Sequence, residues 1–230
     1  GCLARLMNDV RNELTANKIT ALNAITLELA ELCRKTINKF TVAGYEISIK
    51  SDQSIVTSAD TETENVFRKR AAELLPESSV LGEEGGADQD LSAYRWIIDP
   101  IDGTAEFAKN LPFYGSIISL YYQGKPVTAV IDHPALDQRL SASFGQGTYV
   151  NNKRLRLEDQ PVTDNESLRF GIAARSNFLR TNQGSLFDKL VQNFPNIRTF
   201  HSCYSHSMAV FWGVDLKLKL GGNFLGCFAA

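Results

Sequence analysis

The order of patterns along this 230-residue chain predicts an α/β protein, an α+β sandwich of layered helices and sheet. Between Asn17 and Phe40, apolar residues recur at Ile19, Leu22, Ile25, Leu29, Leu32 and Ile37, the steps of a helix with one buried stripe. Later, short apolar runs such as RWIID and SIISLYY stand between Gly-, Pro- and Asn-containing turns, as strands do. Both kinds of segment continue to the C-terminal part, so neither an all-α nor an all-β fold fits.

Taken in order, the helix over 17–40 is followed by a polar loop, KSDQSIVTSAD. TSADTETENVFRKRAAELLP then predicts a second helix, with Ser58 and Asp60 as cap candidates, acids in the first turn and Pro76 beyond its end. SSVLGEEGG is a short strand stopping at two glutamates and two glycines. RWIIDP is a strand whose apolar run suggests burial on both faces. SIISLYYQGKPVTAVIDHP divides into two β-rich runs around QGKP, a hairpin, and LSASFGQGTYVNNKRLRL adds short strands with Gly and Asn turns. Past Asn151 come a strand-like SLRFGIAARS, an amphipathic helix SLFDKLVQNF, a strand NIRTF, a helix CYSHSMAVFWG stopped by Gly213, and an edge-like strand VDLKLKL. A subdomain seam near Asn151 therefore divides residues 1–150 from 151–230.

Composition narrows the function classes. Net charge is −2 with scattered charges, so no basic face points to nucleic acid. No apolar run approaches the ~20 residues of a membrane span, and no signal-peptide core is seen. Four widely spaced cysteines suit a reducing compartment, and three histidines without an HExxH argue against a zinc site. A soluble cytoplasmic protein without membrane or nucleic-acid partners is the expectation.

The chemistry-bearing feature is acidic. Three segments end at carboxylates: Asp60 in VTSAD, Glu83 and Glu84 in LGEEGG, and Asp99 with Asp102 in IIDPIDGT. Taken singly, Asp60 fits a helix cap and the glutamates a solvated turn. The third segment is harder to read so, because Pro100 fixes φ near −65° and Gly103 permits a φ most residues avoid, which makes a rigid corner. Thr104 stands where it caps a helix suggested by AEFAKNL, whose N-terminal N–H groups suit a phosphate oxygen. Two carboxylates about 4 Å apart repel by roughly 4 kcal/mol at an effective dielectric near 20, so such a cluster raises its pKa values or demands a cation. Oxygen donors without His or Cys favour Mg²⁺, with Mn²⁺ as a substitute.

In this order and spacing, VTSAD, LGEEGG, WIIDPIDGTAEF and GQGTYVNNKRL resemble the inositol monophosphatase superfamily of Mg²⁺-dependent, Li⁺-inhibited phosphatases. The resemblance implies an inositol monophosphatase/fructose-bisphosphatase-like fold of alternating α-β-α-β-α layers, assembled as a homodimer and acting on a small phosphate monoester. It implies that Glu83, Asp99 and the carbonyl of Ile101 bind a first metal, and that Asp99 and Asp102 share in a second. It further implies that Glu84 supports the site, that Asp60 and Thr104 orient the attacking water, and that the N–H groups of Gly103 and Thr104 bind phosphate. VIDHPALDQ and HSCYSHSMA are similar to segments of the histidinol-phosphate phosphatases within the superfamily.

One position departs from the pattern. Near the end, in GGNFLGCFAA, Cys227 falls where the superfamily has a metal-binding aspartate, and the usual last helix and strands do not follow. A thiol is a poor ligand for a hard ion, so a weakened second metal site and reduced turnover are expected. A chain truncated or altered at its end, with an accidental match at Cys227, is a second reading, and a family member that has lost catalysis and binds its ligand without turnover is the alternative of another class.

Overall fold

The computed structural model describes residues 14–51, 53–88, 92–156, 166, 168–172, 174–200, 202–211 and 216–218. Helix α1 (Ala16–Ala43) starts where Thr15 accepts the Lys18 N–H at 3.2 Å and ends at Gly44, whose φ of 88° suits a residue without Cβ. Its buried side includes Thr26, Cys33 and Thr36 beside the predicted Ile19, Leu22, Leu29 and Ile37. Thr26 is tolerated there because its hydroxyl donates to Leu22 O at 2.8 Å and meets the Thr128 hydroxyl at 2.6 Å.

A two-stranded ribbon, β1 (Ile47–Ile49) and β2 (Ile55–Thr57), leads into α2 (Ser58–Leu74). The cap of α2 is Thr57, where the sequence suggested Ser58 or Asp60. Asp60 sits at the third helical position and completes a capping box.

The central sheet contains eight strands: β3 (Ser78–Gly82), β4 (Gly86–Ala87), β5 (Tyr94–Asp102), β6 (Gly115–Tyr122), β7 (Lys125–His133), β8 (Gln138–Ser143), β9 (Gly147–Val150) and β10 (Lys153–Arg154). Their spatial order is β10-β9-β8-β7-β6-β5-β3-β4. All neighbours are antiparallel except β3 and β5, which are parallel. Gln123 and Gly124, both at positive φ, turn β6 into β7 at the expected QGKP hairpin. Asn151 and Asn152, at φ 45° and 65°, make the tight turn between β9 and β10.

One sheet face packs on α1 and α2 through a continuous core. Phe67 of α2 meets Trp96 of β5 edge-to-face, with centroids 5.8 Å apart, and both are fully buried. β5 is not buried on both faces along its whole length as RWIIDP suggested. Arg95 and Ile97 are half-buried, and continuous burial starts only at Ile98.

A buried ion network ties α1 to this sheet. Asp132 of β7 is 0% exposed and accepts from Arg34 Nη2 and Nε at 2.7 and 2.8 Å and from Arg139 Nε at 2.7 Å. Removing the acid leaves two mostly buried guanidinium groups with only their exposed partners, Asp137 for Arg34 and Glu31 for Arg139. Asp132→Ala is therefore expected to lower stability by about 3 kcal/mol, read as a shift of the urea midpoint.

The described chain divides into two compact units, one reaching Leu155 and the other starting at Arg156. In the second, β11 (Phe170–Ile172) lies between β12 (Ile197–Thr199) and β13 (Leu216–Leu218) in a parallel three-stranded sheet. This unit also holds α4 (Arg175–Arg180), α5 (Gly184–Asn193) and α6 (Tyr204–Phe211), numbered after the short α3 described below. Helix α4 was not foreseen in SLRFGIAARS. Its buried Phe178 packs edge-to-face on Phe187 of α5. Gly213, the expected stop of α6, lies outside the described residues.

Candidate metal centre

The corner WIIDPIDGT is a bulged strand end. In a regular strand Asp99 and Asp102, three positions apart, would point to opposite faces. Here Asp99 pairs with Ile117 but Asp102 with Gly115, so β5 carries one residue more than β6 across this interval. Pro100, which has no N–H for a ladder, lies inside this irregular stretch, and its carbonyl accepts the Ser116 hydroxyl at 2.7 Å. The extra residue returns both carboxylates to one neighbourhood, where the Asp102 charge acts on Asp99.

Gly103, left-handed at φ 97°, then turns the chain into α3 (Thr104–Ala108). Thr104 is the first helical residue and makes no cap, contrary to expectation, because Gly103 occupies the cap position. Its hydroxyl is turned back instead, to Asp60 Oδ1 at 3.1 Å and the Ile101 carbonyl at 3.0 Å. One hydroxyl proton serves these two acceptors. Asp60 Oδ2 in turn accepts the Thr57 N–H at 2.9 Å and its hydroxyl at 2.5 Å. The sequence-predicted Asp60, Ile101 and Thr104 thus share one hydrogen-bonded group at the bulge.

Glu83 and Glu84 arrive from the turn after β3, which is parallel to β5 and ends beside Ile98. The Glu83 N–H donates to Ile98 O at 3.2 Å. Lys50, from the loop before β2, reaches over them. Its ammonium lies 2.8 Å from Glu84 Oε1 and 3.6 Å from Glu83 Oε1. Neither Lys50 nor the α2 residues that hold this turn were singled out in the sequence. The KSDQ loop reads there only as polar.

The electrostatics of this assembly are unbalanced. Asp99 is 9% exposed, and its Oδ1 has no hydrogen-bond partner. Burial pushes its carboxyl well above the ordinary range, and Asp102, Glu83 and Asp60 push it the same way. Burial also raises Asp60, against the opposing bonds from Thr57 and Thr104. Glu84 is raised by burial and by Glu83 and Asp60, against the pull of Lys50. Among the described residues no three His, Cys, Asp or Glu side chains already enclose one point. Two of the acids, Glu83 and Glu84, are paired with Lys50 instead. A buried, unpartnered carboxylate oxygen amid like charges, with oxygen donors only, fits a hard divalent cation. The acids whose charges act on Asp99 there are Asp102, Glu83 and Asp60. Cys227 lies outside the described residues.

Comparisons with known proteins bear on the family and the fold of the chain. The chain is 31% identical over 219 residues to the bifunctional phosphatase IMPL2, chloroplastic, of Arabidopsis thaliana, covering 94% of this chain and 62% of that protein. To the histidinol-phosphatase of Chlorobaculum parvum it is 29% identical over 185 residues, covering 80% of this chain and 71% of that one. It thus spans less than two thirds of the Arabidopsis protein. An inositol monophosphatase structure from Zymomonas mobilis superposes with a TM-score of 0.71 at 23% identity, over 88% of this chain and 78% of that chain, a likeness of fold. The model of the inositol monophosphatase family matches residues 11–213, and the chain belongs to that family.

Proposed function

We propose that the protein hydrolyses a small phosphate monoester with the help of a divalent cation, Mg²⁺ or Mn²⁺, held by Glu83, Asp99, Asp102 and the Ile101 carbonyl. The carrying observation is the unpartnered, buried Asp99 Oδ1 at the bulged strand end, under the charges of Asp102, Glu83 and Asp60. When bound, such a cation polarises the phosphate ester and steadies the charge that develops on the leaving oxygen.

The chain's own residues do the rest. Thr104 donates its hydroxyl proton toward Asp60, which leaves the oxygen lone pairs to accept a hydrogen bond from the attacking water. Asp60, raised by burial, takes the water's proton through this pair. The N–H groups of Gly103 and Thr104, at the start of α3 and without acceptors within the helix, face the phosphate oxygens. Lys50 balances Glu84 and Glu83 while no ion is bound. Inhibition by Li⁺ and a homodimeric state belong to the same reading.

Two substrate classes are favoured. The family is named for inositol monophosphate, whereas the Chlorobaculum relative is named a histidinol-phosphatase and VIDHPALDQ points the same way. Phosphate release from inositol 1-phosphate and from histidinol phosphate, with and without Mg²⁺ and Li⁺, decides between them. No release from any polyol, sugar or amino-alcohol phosphate would leave ligand binding without turnover as the function.

Cys227 supports that second outcome. Cys227→Asp is expected to raise turnover at limiting Mg²⁺ at least tenfold, because an oxygen donor replaces a thiol that hard ions avoid. Unchanged Mg²⁺ dependence would remove Cys227 from the site.

A further inference from the structure

The turn that carries Glu83 and Glu84 is held by two α2 side chains with no part in the chemistry above. Glu64 is 2% exposed, and its carboxylate accepts the N–H of Glu84 on Oε2 at 2.8 Å and that of Gly85 on Oε1 at 2.9 Å. Arg68, one helical turn on, donates Nε to Glu64 Oε1 at 2.8 Å and Nη2 to the Gly86 carbonyl at 2.5 Å. Its Nη1 reaches Asp88 Oδ1 at 2.8 Å, while Asp88 Oδ2 accepts the Val80 N–H at 2.7 Å. The segment from Glu84 to Asp88 is therefore bound to α2 at four points, three on its backbone and one on the Asp88 carboxylate.

The approach is close enough to dictate the glycines. A Cβ on Gly82 would come within 2.1–2.5 Å of the Glu64 carboxyl group, and one on Gly85 within 2.7 Å of Glu64 Oε1. LGEEGG is thus shaped around a buried carboxylate. Burying an ion pair is a poor way to gain stability, because desolvation consumes most of the attraction. What this pair gains is direction. A carboxylate can accept two converging N–H groups and a guanidinium together, whereas a neutral amide presents one acceptor and one donor. The clamped segment is also the one that brings an exposed Glu83 against Asp99, an arrangement that charge repulsion alone would open.

We propose that Glu64 and Arg68 are positioning residues for the divalent cation, clamping the backbone of residues 84–86 so that the Glu83 carboxylate stays beside Asp99. The inference rests on the acidic corner being a cation site. Groups that orient metal ligands in this way change affinity about 10–100-fold when altered.

Mn²⁺ binding to the purified chain, followed by the loss of the free-ion paramagnetic signal, tests it. Glu64→Gln is expected to weaken Mn²⁺ at least tenfold and to speed amide exchange at Glu84 and Gly85, while the ion-free protein stays folded. Arg68→Lys keeps a charge beside Glu64 but loses the fork, and is expected to weaken Mn²⁺ in the same direction. It decides the matter should Glu64→Gln fail to fold. Parental Mn²⁺ affinity in the folded variant overturns the positioning role alone. A parent chain that binds no Mn²⁺ overturns the cation site and the positioning role together.

Discussion

Asp99→Asn is expected to reduce Mg²⁺-dependent phosphate release about a thousandfold and, in the same protein, to raise the melting temperature measured without metal. The two effects share one cause. Asp99 Oδ1 is buried without a partner, and the nearest charges are those of other acids. A group in that state costs the apo fold about 1–3 kcal/mol, recovered in part when an uncharged amide of the same shape replaces it. For a chain of this size that is a rise of several degrees. In the proposed reading the same carboxylate is a ligand of the cation, so its loss is expected to remove affinity as well as rate. Calorimetric Mn²⁺ titration and a thermal melt in chelator measure the two halves. A variant that is less stable than the parent without metal, or that retains activity, would contradict the account of the site.

Asp60→Asn should separate from it cleanly. Turnover is expected to fall by about 10²–10⁴-fold, the usual contribution of a positioned general base, while Mn²⁺ affinity stays within a few-fold of the parent. Asp60 is 1% exposed and is engaged on both oxygens, by Thr57 on Oδ2 and by Thr104 on Oδ1. Asparagine keeps one oxygen for the Thr57 N–H, so the cap of α2 survives at a cost near 1 kcal/mol or less. What it loses is the capacity to take a proton and to orient the Thr104 hydroxyl as a donor. Single-turnover kinetics at saturating metal isolate this step. An unchanged rate would show that the Asp60–Thr104 pair caps a helix and nothing more.

Much of the site was legible because it is written locally. Pro100 inside an apolar strand and Gly103 before a helix each carry a backbone requirement, and the bulge and the φ of 97° are where those requirements come due. The hairpin at Gln123–Gly124 and the long helix α1 followed from periods of two and 3.6 in the same way. The misassigned caps show the limit of that logic. Thr57, Ser58 and Asp60 are all good caps by type, and Thr57 takes the position as the last residue of β2, paired with Ile47 and still extended where the helix begins. Thr104 likewise had the right chemistry for a cap, but a partner 44 residues away claims its hydroxyl.

The residues that were missed are those whose role exists only across space. Glu64 and Arg68 read as an ordinary i,i+4 pair on a helix face, and Lys50 as one charge in a polar loop. By itself the sequence determined the layered α/β fold, the acidic character of the corner and the family, since periodicity and residue chemistry are properties of short stretches. Tertiary structure alone decided which carboxylate oxygen is left without a partner, which side chains hold the glycine turn and which cation pairs with the two glutamates. Those outcomes depend on strand register and on contacts between segments that are far apart along the chain, where one extra residue in β5 turns an aspartate from one face of the sheet to the other.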